Sequence, residues 1–106
     1  MPNERETLKR QIDQYLKSLA PDVWFRKNWG GGMYGHSGDS DWVVCARGWF
    51  VFIEAKHPVK KPKLEADQKF TQENVRRAGG FTIEATDVSD VVIGLSRLRS
   101  EGPAHG

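Results

Sequence analysis

Cysteine is nearly absent from this sequence, which limits both the covalent crosslinks and the metal sites that the chain can form. Cys45 is the only cysteine, so no internal disulfide is available. One thiol and three histidines without ligand spacing also exclude a cysteine-ligated zinc site. Because Cys45 lies in the apolar run WVVCA, we predict a buried thiol.

Long apolar segments are also missing from the sequence. No run approaches the roughly 20 apolar residues that a membrane-spanning helix needs. The first ten residues, MPNERETLKR, are charged and lack the apolar stretch of a signal peptide. We therefore expect a protein of the cytoplasm that has no membrane segment.

The length of the chain suits one compact domain. Its 106 residues fit one domain and leave little room for a second, and the 38% of them that are hydrophobic are enough for a compact core. We predict that the domain covers residues 1–99 and that the tail, residues 100–106 (SEGPAHG), is disordered.

Hydrophobic periodicity and turn residues divide the chain into helices and strands. The predicted elements are a helix over 4–19, strands over 23–29, 41–46 and 49–56, a helix over 64–78, a strand over 81–84 and a final helix that Asp87 caps and that runs to Leu98. The short link Arg47-Gly48 predicts an antiparallel hairpin. This order indicates an α/β fold in which a mixed sheet is flanked by helices.

Two carboxylates and a lysine lie at the polar ends of the hairpin strands. Asp41 begins one strand, while Glu54 and Lys56 end the other, so pairing would bring Asp41 beside Glu54. Side chains alternate along a strand, so Glu54 and Lys56 share a face, and residues 49–53 (WFVFI) are expected to be fully buried. Adjacent carboxylates repel unless a cation lies between them, and Mg²⁺ prefers oxygen ligands. The alternative is a structural ion pair of Lys56 with Asp41 or Glu54.

Basic residues are concentrated in the segments that flank this constellation, although the net charge is only +2. They are Arg26, Lys27, Lys56, Lys60, Lys61 and Lys63. Their positions predict a surface that binds the phosphates of DNA, and the alternative is ordinary solvated charge.

Four motifs in a fixed order make the sequence resemble the VRR-Nuc domain, a branch of the PD-(D/E)XK nucleases. They are Gly38-Asp39-Ser40-Asp41, the strand FVFIEAK, Gln68 in LEADQ, and the segment AGGF. Ser40 replaces the proline that is usual before the aspartate, and the stretch between Lys56 and Gln68 is a few residues longer than usual. The resemblance covers nearly the whole chain, residues 4–92, and implies a restriction-endonuclease-like core.

The resemblance also implies a role for each residue of the hairpin site. Asp41, Glu54 and the carbonyl of Ala55 would bind Mg²⁺, for which Mn²⁺ would substitute. Lys56 would be the catalytic lysine. Gln68 would support the lysine or the attacking water.

The family pattern includes an acidic residue in the first helix, and Glu4 and Glu6 both qualify. On a helical wheel Glu4 borders the apolar stripe that contains Leu8 and Ile12, whereas Glu6 falls nearly opposite. We therefore choose Glu4 as a further metal ligand. The alternative for Glu4 is a favourable interaction of a first-turn carboxylate with the helix dipole.

The function implied by the resemblance is structure-selective cleavage of DNA. Free-standing domains of this kind resemble Holliday-junction resolvases, typically phage homodimers that act on branched DNA, which would place this protein in a host cytoplasm. Two alternatives stay open: a catalytically inactive nucleic-acid-binding module of the same fold, and a restriction-type or flap nuclease.

Overall fold

The computed structural model describes residues 4–28, 41–56 and 62–98. Their elements are α1 (Glu4–Ser18), β1 (Val23–Lys27), β2 (Trp42–Ala46), β3 (Trp49–Ala55), α2 (Pro62–Arg77), β4 (Phe81–Ala85) and α3 (Val88–Ser96). This order confirms the predicted α/β architecture. The tail and residues 38–40 of the glycine-rich motif lie outside the described residues.

A four-stranded mixed sheet, in the order β1-β2-β3-β4, forms the centre of the fold. The strand β2 is antiparallel to both β1 and β3, whereas β4 is parallel to β3. Arg47 and Gly48 form the turn between β2 and β3 with positive φ angles of 53° and 82°. Such turns match the twist of paired strands, and the resulting register pairs Trp42 with Ile53.

One face of the sheet and the helices α1 and α3 enclose the hydrophobic core. Apolar residues at alternate strand positions point to the same face, and Leu8, Ile12 and Leu16 of α1 are buried against them. The largest fully buried side chains are Trp42, Ile12, Leu16, Ile53, Val44, Val51 and Val91. The helical spacing of the α1 residues therefore positions this helix on the sheet.

The opposite face of the sheet is partly open, and this corrects two predictions. Residues 49–53 are not buried throughout, because Val51 and Ile53 face the core while Phe50 is 48% exposed. Cys45 is exposed as well, since the register pairs it with Phe50 on the open face. In both cases a run of apolar residues concealed the two-residue alternation of a strand.

The helix α2 packs on the open face, beside β4 and the end of β3. It begins at Pro62, slightly before its predicted start, because a proline without an N–H fits the first turn of a helix. Gly80 permits close packing, since a Cβ at this position would lie 2.6 Å from Cγ1 of Val75. Among the described helices, none has the length and apolar character required to cross a membrane.

Candidate active site

The antiparallel register of β2 and β3 brings two carboxylates together at one end of the sheet. Trp42 pairs with Ile53, so Asp41, which directly precedes β2, lies opposite Glu54. The backbone N–H of Ala55 donates a hydrogen bond of 2.8 Å to Oδ2 of Asp41. The hairpin itself therefore fixes the carboxylate of Asp41 beside the end of β3.

Glu54 is a buried carboxylate, with only 6% of its surface exposed. The side-chain amide of Gln72 donates a hydrogen bond of 3.0 Å to Oε2 of Glu54. Burial, together with the negative charges of Asp41 and Glu84, raises the pKa of Glu54 to about 8. When a buried carboxylate lies beside another acid, its negative charge is not fully balanced by the protein. A bound cation would balance that charge.

Glu84 lies beside Glu54 on the neighbouring strand, because the parallel register pairs the two residues directly. Sequence reasoning did not identify Glu84. Glu84 is brought to the site by the pairing of β4 with β3. The segment FTIEA alone does not indicate which strand β4 pairs with. Within residues 4–28, 41–56 and 62–98, no three His, Cys, Asp or Glu side chains form a metal-binding group.

Two cations of α1 contact the carboxylate of Asp41. Nη2 of Arg5 lies 3.2 Å from Oδ2 and 3.3 Å from Oδ1, and Nζ of Lys9 lies 3.3 Å from Oδ1. Nε of Arg5 also donates a hydrogen bond of 3.3 Å to the carbonyl oxygen of Ala55. The first helix therefore supplies positive charge to the site.

Glu4 and Glu6, the two candidates for the first-helix acid, are both exposed. The structure does not place the chosen Glu4 among the contacts of Asp41 described above; Arg5 has that position. A signal for Arg5 was present in the sequence, because on a helical wheel Arg5 falls between Ile12 and Leu16, inside the apolar stripe. A charged residue at such a position needs a polar partner at the edge of the core.

Lys56 follows directly after β3, and its side chain is exposed. Its backbone N–H donates a hydrogen bond of 2.9 Å to the carbonyl oxygen of Ala85. In the described part of the chain, the ion pairs of Asp41 are with Arg5 and Lys9. The structure therefore does not contain the alternative Asp41–Lys56 ion pair.

The glutamine that contacts Glu54 is Gln72, which sequence reasoning missed. Gln68 lies one helical turn earlier on α2 and is half-buried. Residues four apart lie on the same side of a helix, so the periodicity of α2 allows either glutamine to face the sheet. The rotation of α2 about its axis on the sheet determines which of the two glutamines contacts Glu54, and this rotation cannot be read from the sequence.

The basic residues predicted to bind phosphate are distributed over several surfaces. Arg26 is exposed on the same sheet face as Glu54 and lies over the ring of Trp24, 5.2 Å from its centroid. Lys27 is half-buried, and Lys63 is exposed in the first turn of α2. Lys60 and Lys61 lie outside the described residues.

The donor set at the end of the hairpin fits a hard divalent cation. The carboxylates of Asp41 and Glu54 and the carbonyl of Ala55 supply oxygen only, which is the ligand type that Mg²⁺ and Mn²⁺ prefer. The raised pKa of Glu54 indicates the same need for positive charge. The pocket lined by Leu19, Val92 and Leu98 is at the far end of α1 and is separate from this site.

Comparison with known proteins relates the whole fold to a solved structure. The chain is similar to a structure described as "VRR_NUC domain", with a TM-score of 0.69 and 20% sequence identity over 92% of this chain and 100% of the other. No family model and no curated protein matches the sequence. The match agrees with the resemblance carried by the sequence motifs. The chain therefore has the fold of a VRR_NUC domain.

Proposed function

We propose that this chain is a Mg²⁺-dependent nuclease that hydrolyses phosphodiester bonds in DNA. The observation that carries the proposal is the pairing of Asp41 with the buried carboxylate of Glu54 at the end of the hairpin. The position of this pair matches the carboxylates of the VRR-Nuc motif, and the fold is that of a VRR_NUC domain. Burial of an unbalanced carboxylate costs stability, which is expected at a site built for a ligand.

The proposed ligands for Mg²⁺, or for Mn²⁺ in its place, are Asp41, Glu54 and the Ala55 carbonyl. Bound there, the ion would polarise the phosphate and lower the pKa of the attacking water. Two contacts within the chain prepare these ligands. The Ala55 N–H holds Asp41 and the Gln72 amide holds Glu54, so less reorganisation is needed when the substrate binds.

Hydrolysis joins a water oxygen to phosphorus while the bond between phosphorus and the leaving oxygen breaks and that oxygen takes up a proton. Negative charge increases on the phosphate during this step. Lys56, exposed at the end of β3, is proposed to stabilise that charge or to orient the water. Gln68 is proposed to support Lys56 or the water from α2.

The proposed substrate is branched DNA, with the four-way junction as the leading candidate. Resolution of a junction requires two symmetrically placed cuts, which a two-fold symmetric homodimer would supply. Arg26, Lys27 and Lys63, together with Lys60 and Lys61, are proposed to contact the phosphates. The resemblance to free-standing VRR-Nuc domains supports this choice of substrate.

One observation favours a second function, that of an inactive DNA-binding module. Arg5 and Lys9 already balance the charge of Asp41, and the side chain of Lys56 is exposed beyond the end of β3. In such a protein the site would be an ion-pair network and not a metal centre. Binding of DNA would then occur without cleavage in any divalent ion.

The test is incubation of the protein with labelled four-way junction, flap, nicked and linear duplex DNA, with and without Mg²⁺. Asp41→Asn, purified in the same way, controls for contaminating nucleases. Mg²⁺-dependent cleavage of the junction by the wild type alone supports the proposal. Preferred cleavage of the flap, or sequence-specific cleavage of linear duplex, would show that the four-way junction is not the preferred substrate. Binding of DNA without cleavage would show that the protein is an inactive DNA-binding module.

A further inference from the structure

Arg5 occupies two of the three oxygen groups that are proposed as metal ligands. Its Nη2 contacts both carboxylate oxygens of Asp41, and its Nε contacts the carbonyl of Ala55. The side chains of Arg5 and Asp41 are only 18% and 16% exposed, so solvent screens their interaction poorly. A single guanidinium thus joins α1 to the end of β3 at the site itself.

A guanidinium and a divalent cation cannot share these oxygens without cost. Both need the same lone pairs, and their positive charges repel each other strongly when water is partly excluded. The five N–H donors of arginine satisfy a carboxylate and a carbonyl together, which the ammonium of a lysine does less well. Lys9 contacts Oδ1 of Asp41 alone and is therefore the weaker competitor.

We propose that Arg5 is a positioning residue that serves as the resident cation of the metal-free site and that must leave Asp41 and Ala55 when a divalent ion binds. This inference rests on the proposed metal-dependent function. The first helix, in which the family pattern has an acid, would then also supply a cation that sets the metal affinity of the site. Arg5 lowers that affinity while it stabilises the metal-free fold.

The test compares wild type with Arg5→Gln, which removes the charge and retains a polar side chain. Arg10→Gln is the matched control, because Arg10 lies on the same helix and is exposed. Calorimetric titration should give Mg²⁺ and Mn²⁺ affinities about tenfold higher in Arg5→Gln than in wild type, and within about twofold of wild type in Arg10→Gln. Without metal, Arg5→Gln should melt at a lower temperature than wild type. Added Mg²⁺ should raise the melting temperature of Arg5→Gln by more than that of wild type.

If Arg5→Gln does not fold, the metal affinity of Arg5→Lys provides the test. This variant retains the charge but loses the forked contact, so its metal affinity should fall between those of wild type and the glutamine variant. If wild type binds metal and Arg5→Gln binds it equally or more weakly, the role of Arg5 is refuted while the metal site stands. If wild type and variants all fail to bind metal, with or without DNA, the metal-dependent function fails together with this inference.

Discussion

The side-chain amide of Gln72 donates a hydrogen bond of 3.0 Å to Oε2 of Glu54 and so joins α2 to the buried end of β3. Gln72 is itself buried, with 8% of its surface exposed. A carboxylate that must bind a cation in one orientation benefits from such a donor, because the hydrogen bond restricts its rotation. The contact makes α2 a part of the site and not only a cover for the sheet.

We predict that Gln72→Ala lowers the rate of DNA cleavage by about tenfold or more, because partners of metal ligands commonly contribute that much. Gln68→Ala is the matched variant, one turn away on the same helix. Single-turnover cleavage rates in Mg²⁺ distinguish the two residues. A larger loss in Gln68→Ala than in Gln72→Ala would return the supporting role to Gln68, as the sequence resemblance implies.

Replacement of Glu54 by glutamine should stabilise the metal-free protein at alkaline pH. The pKa of Glu54 is raised from 4.5 to about 8, so between these values the folded protein holds a proton that the unfolded chain has released. Stability of the wild type should therefore fall as the pH rises through this interval. At pH 9, Glu54→Gln should be more stable than wild type by at most about 5 kcal/mol, the free energy that corresponds to the full pKa shift.

Urea unfolding at pH 5 and pH 9 in the presence of EDTA measures this difference. Glu73→Gln removes an exposed carboxylate from α2 and should show no comparable effect. Equal stability of Glu54→Gln and wild type at pH 9 would mean that Glu54 does not carry an uncompensated charge.

The start of α3 provides a prediction that concerns the fold alone. The Asp87 carboxylate accepts a hydrogen bond from the Ser89 N–H, and the Asp90 carboxylate accepts one from the Asp87 N–H, which forms a capping box. Hydrogen bonds from Ser89 lower the pKa of Asp87, and hydrogen bonds from the backbone N–H groups of Thr86 and Asp87 lower the pKa of Asp90. Their stabilisation is therefore present at neutral pH and is lost as the pH falls through the lowered pKa values.

Asp90→Ala should consequently lower the melting temperature at pH 7 and should lose less additional stability than wild type on acidification. Thermal melts across acidic and neutral pH provide the measurement, with the exposed Asp22→Asn as control. A melting temperature for Asp90→Ala equal to that of wild type at pH 7 would contradict a stabilising role for the capping box.

Arg26 should contribute to DNA binding through one phosphate contact. It is exposed on the sheet face that also carries Glu54. We expect Arg26→Gln to weaken junction binding several-fold and to reduce the slope of log affinity against log salt by about 0.9. Arg97 is exposed at the end of α3, and Arg97→Gln should leave the affinity for the junction and its salt dependence unchanged. An unchanged salt dependence in Arg26→Gln would remove this residue from the interface.

The sequence predicted those parts of the molecule that depend on local pattern. The link Arg47-Gly48 and the strands on either side of it specified the hairpin, and the hairpin register brings Asp41 to Glu54. The apolar stripe of α1 predicted the helix and its packed side. These features depend on residues close together in the chain, so periodicity and turn chemistry contain enough information to predict them.

The parts that were missed depend on how separate elements pack together. The choice between Gln72 and Gln68 follows from the rotation of α2 on the sheet, and the proximity of Glu84 follows from the pairing of β4 with β3. Arg5 was overlooked because the sequence analysis of α1 considered only its apolar residues and its two acids, whereas the side chain of Arg5 reaches Asp41 at the edge of the core. Tertiary packing determines the contacts of all three residues. Only Arg5 had a local signal, which was its place in the apolar stripe of α1; the sequence contains no such local signal for Gln72 or Glu84.

The most direct test of the central claim is the rate of four-way junction cleavage in Mg²⁺ and in EDTA, for wild type and for Asp41→Asn, Glu54→Gln and Lys56→Ala. Circular dichroism of each variant establishes that it is folded. We predict cleavage by wild type in Mg²⁺ alone, and a loss of about 10²-fold or more in each variant, because each removes charge stabilisation at the reacting phosphate. Equal cleavage by wild type in EDTA, or full activity in the Asp41 and Glu54 variants, would contradict a metal-dependent nuclease site at the end of this hairpin.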